Sequence, residues 1–81
     1  DRIFRTVLAR LGPPTGLLLD VGCHVGRFVR LAAAGGWAAE GVELNPTTAA
    51  FAAAHAGRPI HRELPPGRRY AAVTLLDVLE H

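Results

Sequence analysis

Two apolar patterns alternate along the chain, one with helical spacing and one that runs without a break. Ile3, Phe4, Val7, Leu8 and Leu11 recur three and four residues apart, with Arg2, Arg5 and Arg10 between them. That spacing predicts an amphipathic helix over residues 1–11, stopped by Gly12-Pro13-Pro14-Thr15-Gly16. Residues 17–21 are apolar except for Asp20 and stand between Gly16 and Gly22, as a buried strand does. A helix over 26–34 follows, with Phe28, Leu31 and Ala32 facing inward and Arg27 and Arg30 outward, and Gly35-Gly36 ends it. Residues 37–43 predict the second strand, in which Gly41 marks close approach of another backbone. Asn45-Pro46 is a helix start: asparagine caps the unpaired N–H groups, and proline needs none at the first helical position. This helix runs over 46–56 and stops at Gly57. A short strand at 59–62, a turn at Leu64-Pro65-Pro66-Gly67 and a hydrophobic strand at 70–76 complete the pattern.

Alternation of strands and helices predicts an α/β chain with a parallel sheet and right-handed crossovers. A loop, not a helix, joins the third and fourth strands. The chain has 81 residues, whereas compact domains usually hold about 100–150. The expectation is one domain over 1–81 that is incomplete at its C-terminus.

Hydrophobic residues make up 49% of the chain, enough for a packed core, and the net charge is +2. Every basic residue is arginine. Only Arg68 and Arg69 are adjacent, so the arginines read as a solvated surface and not as a nucleic-acid interface. The single cysteine excludes an internal disulfide framework and suits a reducing cytoplasm. Uncharged runs such as 71–76 are too short to span a bilayer. A cytoplasmic chain with neither a membrane nor a nucleic acid as partner is expected.

The candidate chemistry lies where the first strand ends in Gly22-Cys23-His24-Val25-Gly26 and opens a helix. Glycines let a backbone come close to a ligand, and a helix start offers unpaired N–H groups. A dinucleotide loop needs glycine at its first, third and sixth places, which here hold Gly22, His24 and Arg27. Asp20, Gly22 and Gly26 instead fit an acid two residues before the first glycine and a glycine four after it. This resembles the first motif of the class I S-adenosylmethionine-dependent methyltransferases, acid-x-Gly-x-Gly-x-Gly, with His24 at the middle glycine. Glu43 stands 21 residues after Gly22, at the end of the second strand, where a carboxylate can accept bonds from both ribose hydroxyls of an adenosine ligand.

The chain's ending is similar to the acid-x-x-Glu-His stretch after the fourth strand of one large methyltransferase branch: Asp77, Glu80 and His81. Asp77 and Glu80 also suit a capping box at a helix start. A divalent-metal site on Asp77, Glu80 and His81, or His81 as a base, is the sharper alternative. No metal is expected, and no catalytic residue is assigned.

The resemblance covers residues 17–81. It implies a Rossmann-like, doubly wound parallel sheet, as the N-terminal half of a class I methyltransferase fold. S-Adenosylmethionine is the implied cofactor. Asp20, Gly22, Cys23, His24, Gly26, Glu43, Leu44 and Asp77 are the implied binding residues, Leu44 lying against the adenine face and Asp20 reaching the methionine amino group. An acid near Glu63 bonds the adenine amino group in such enzymes. The implied reaction is methyl transfer to a small-molecule or cell-surface metabolite. Two alternatives remain: a non-catalytic scaffold, for which His24 speaks, and an NAD-dependent oxidoreductase, against which His24 and Arg27 stand.

Overall fold

The computed structural model describes residues 1–76. The elements are α1 (Arg2–Leu11), β1 (Leu17–Val21), α2 (Arg27–Ala34), β2 (Ala38–Val42), α3 (Pro46–Ala56), β3 (Ile60–His61) and β4 (Ala72–Thr74). Each predicted element is present. The outer strands are shorter than predicted because each is only as long as its pairing: β3 meets Gly41 and Val42 of β2, and β4 meets residues 18–20 of β1.

The four strands form one sheet in the order β3-β2-β1-β4, parallel throughout. β1 is central and buried on both faces, which explains its nearly continuous apolar run. Leu18 lies in register with Ala39 and Ala72, and Asp20 with Gly41 and Thr74. Leu18, Ala39 and Ala72 point to the face that carries the helices. There they join Phe28, Val29, Ala32, Trp37 and Ala52 in one core, and α1 adds Phe4, Val7, Leu8 and Leu11.

Two helical faces differ from the sequence reading. Ile3 is 58% exposed. It sits about 100° around the helix from Phe4, off the stripe that meets the core. In α2 the buried set is Phe28, Val29 and Ala32. That face is centred between Phe28 and Val29, which leaves Leu31 at its margin. The caps are as expected. Asn45 Oδ1 accepts from Thr48 N at 3.0 Å, Pro46 opens α3, and Gly57 closes it at φ 64°.

Gly41 is crowded by side chains, not by another backbone. A Cβ there would lie 2.6 Å from Cys23 Sγ and 2.9 Å from Ile60 Cδ1. A Gly41→Val variant is therefore expected to lose about 1–3 kcal/mol of stability through overpacking, read from its urea midpoint. No described helix is long and apolar enough to cross a membrane.

Candidate ligand site at the ends of the central strands

Between β1 and α2 the backbone enters the left-handed region three times, at Gly22 (φ 72°), His24 (φ 54°) and Gly26 (φ 84°). His24 thus adopts the conformation that glycine usually supplies, as short polar or imidazole side chains sometimes do. The loop is closed by its own amides: Gly22 N and Cys23 N both donate to Val42 O at 2.9 Å, and Gly26 N donates to Cys23 O at 3.0 Å. Gly26 is doubly constrained, since a Cβ there would lie 3.1 Å from Ala52 O where α2 crosses α3. As the N-cap of α2 it offers no side chain to the first turn. That helix start therefore presents N–H groups and a positive dipole end to the cleft.

Glu43, one residue past β2, braces this loop. Its Oε1 accepts from His24 N at 2.9 Å and its Oε2 from Asn45 N at 3.2 Å. An ionised carboxylate has about four acceptor positions, so two remain open to a ligand. Beside it lies a pocket of about 510 Å³ lined by Val21, Gly22, Val42, Leu44, Glu63 and Leu64. Leu44 and Leu64 are 73% and 64% exposed, so this pocket carries apolar surface that the chain itself leaves uncovered. Arg62 Nε donates to Leu44 O at 3.1 Å and ties the pocket's two sides together.

On the other side of the glycine loop is a second pocket of about 290 Å³, whose lining includes Phe4, Asp20, Cys23, His24, Arg27 and Leu76. Asp20 is only 2% exposed and accepts from Thr74 Oγ1 at 2.7 Å. Thr74, its register neighbour on β4, was missed in the sequence; its one signal was a hydroxyl inside an apolar strand. Cys23 is buried beneath Gly41, with its Sγ 3.8 Å from His24 O. Packing under the loop is the role this position supports. The Arg27 guanidinium lies over the Phe4 ring, 5.9 Å from its centroid, and holds α1 at the pocket's rim.

The structure thus brings Asp20, Gly22, Cys23, His24, Gly26, Glu43 and Leu44 to one end of the sheet. Asp77, with the capping and metal readings of Glu80 and His81, lies outside the described residues. Among the described residues no group of three or more His, Cys, Asp and Glu could hold a metal ion.

Glu40 is a buried charge that the sequence reading passed over. It is 4% exposed. Its Oε1 lies 2.8 Å from His61 Nε2 and accepts from Tyr70 Oη at 3.0 Å, and its Oε2 accepts from Arg68 Nη2 at 2.9 Å. Burial opposes the charge on Glu40, but the bonds from His61, Tyr70 and Arg68 outweigh it and hold the carboxyl below its ordinary value. Burial, helped by the bond to Glu40, pushes the Tyr70 phenol up. A carboxylate depressed in the folded state contributes stability that is complete above its unfolded pKa, about 4.3 for glutamate, and is lost as pH falls through the folded value. Wild-type protein is therefore expected to lose stability over that acid window. Urea titrations across pH 2–6 are expected to show a flatter acid limb for Glu40→Gln.

Comparison with known proteins fits this geometry. No curated protein matches the chain. Among solved structures, the sugar N-methyltransferase KedS8 from Streptoalloteichus sp ATCC 53650 is similar, with a TM-score of 0.61 and 30% identity, over 89% of this chain and 31% of that one. The chain thus spans about a third of that enzyme's length. The family model described as a methyltransferase domain matches residues 1–81. The chain belongs to the methyltransferase domain family, and its parallel sheet with flanking helices is that of the N-terminal half of the class I methyltransferase fold.

Proposed function

We propose that this chain is the S-adenosylmethionine-binding part of an enzyme that methylates a small molecule. The observation that carries the reading is Glu43. Its carboxylate joins the glycine loop to the start of α3 through the N–H groups of His24 and Asn45, keeps acceptor positions open, and is flanked by Leu44, which lines the apolar pocket, and His24, which lines the pocket that holds Asp20. An adenosine ligand with an amino-acid tail needs that sequence of surfaces. Glu43 would take the ribose hydroxyls. Leu44, with Val21, Val42 and Leu64, would cover the adenine, and Glu63 would meet its amino group. Asp20 would hold the ammonium of the tail and Arg27 its carboxylate. Gly22, His24 and Gly26 would let the loop backbone approach the ligand, and Asp77 completes the proposed set.

When bound, the cofactor supplies a methyl group on a positively charged sulfur. The chain's own contribution is to orient that ligand, exclude water from it and present it to an acceptor, which is catalysis by positioning. The acceptor is a small molecule; because the solved relative acts on a sugar nitrogen, amine-bearing sugars are the first class to try.

The test incubates the protein with S-adenosylmethionine carrying a labelled methyl group and a panel of amino sugars and small alcohols. Label transfer with matching release of S-adenosylhomocysteine is expected for one class. His24, whose backbone fills a glycine position, favours the scaffold as the second reading. Tight retention of S-adenosylhomocysteine with no transfer to any acceptor would decide for it.

A further inference from the structure

Glu40 sits on β2 two residues before Val42, so both side chains point to the sheet face opposite the helices. Val42 lines the 510 Å³ pocket, and the Glu40 cluster therefore lies against the same face as that pocket's floor. The three donors to Glu40 come from particular places. His61 belongs to β3, immediately before the 62–71 connection, while Arg68 and Tyr70 stand toward its far end. One carboxylate thus holds both ends of a single loop. Glu63 and Leu64 follow His61 by two and three residues, at the start of that loop, both exposed and both lining the pocket. Their position depends on how the ends are held.

A buried carboxylate is a poor choice for stability alone, because well-packed apolar residues of similar volume usually serve as well or better. It is a good choice for fixing geometry, since it sets the direction of three donors at once. We propose that Glu40 is a positioning residue of the adenosine pocket: through His61, Arg68 and Tyr70 it clamps the 62–71 connection, so that Glu63 and Leu64 stand as the pocket's wall. This rests on the adenosine-binding reading above and adds to it the device that preorganises the pocket. Preorganisation of this kind raises affinity by removing the ordering cost from the binding step.

Arg68 is the most useful probe, because its side chain is 38% exposed and its replacement leaves the core untouched. It meets Glu40 through one nitrogen, so a lysine ammonium can take over that bond, whereas methionine cannot. The experiment measures calorimetric affinity of the full chain for S-adenosylhomocysteine and for S-inosylhomocysteine, in which a carbonyl replaces the adenine amino group. Melting temperatures of all variants are recorded alongside. Arg68→Met and Tyr70→Phe are each expected to weaken S-adenosylhomocysteine binding about tenfold, as loosened supporting shells do. They are also expected to narrow the preference for adenine over hypoxanthine, and Arg68→Lys is expected to restore both. Wild-type affinity and preference in Arg68→Met and Tyr70→Phe would overturn the proposal, and so would a loss of stability with the preference unchanged. Wild-type protein that binds neither ligand would overturn the adenosine reading together with this one.

Discussion

Glu43→Ala is expected to lower affinity for S-adenosylhomocysteine by at least about a hundredfold. Hydrogen bonds to a charged group contribute about 1.5–3 kcal/mol each, and about 1.4 kcal/mol is a factor of ten. Two bonds to ribose hydroxyls therefore account for that factor. The same change removes the acceptors of His24 N and Asn45 N, so the glycine loop and the start of α3 lose their common brace. Glu43→Gln keeps one oxygen and is expected to fall between alanine and wild type. Equilibrium dialysis with labelled ligand measures the affinities, and far-UV circular dichroism confirms that the variants are folded. Wild-type affinity in Glu43→Ala would remove the carboxylate from the ligand site and leave it as a loop brace only.

The largest expected effect on stability comes from Phe28→Ala. Phe28 is 2% exposed and the largest of the fully buried side chains. Its ring also meets Phe4 of α1 edge-on, at 5.3 Å between centroids and 73° between planes. Emptying such a site costs about 3–5 kcal/mol, a large part of the 5–15 kcal/mol typical of a whole domain. Removing the ring also takes the edge-on contact from Phe4, so Arg27 alone is left stacked on the Phe4 ring at the rim of the Asp20 pocket. At about 4–8 °C per kcal/mol for a chain of this size, the melting temperature should fall by more than about 12 °C. Phe28→Leu, which keeps most of the volume, should cost less than about 1.5 kcal/mol. An alanine variant within about 1 kcal/mol of wild type would mean that this ring does not hold the helices to the sheet.

What could be read without the structure was whatever depends on near neighbours in the chain. The order of elements followed from apolar spacing. The capping of α3 followed from Asn45-Pro46, and the strand-loop-helix unit from Asp20, Gly22 and Gly26. Glu43 was found because a strand end and a glycine loop fix its place by counting. The misses around the site depend on pairing across the sheet. Thr74 meets Asp20 only because β4 lies beside β1 in one register. Glu40 looked like any polar residue in a strand, and its partners come from 21, 28 and 30 residues away. Gly41 showed that something comes close, but not that the close atoms are the side chains of Cys23 and Ile60. In α2 the spacing placed Leu31 inside, and the structure buries Val29 in its stead.

On the proposed function, the cleft at the ends of β1 and β2 takes the adenosine of S-adenosylmethionine. Calorimetric titration of the protein with S-adenosylhomocysteine, and in parallel with NAD, tests it most directly. Saturable one-to-one binding of S-adenosylhomocysteine and no heat from NAD are expected. Binding of NAD in its place, or a folded protein that binds neither, would contradict it.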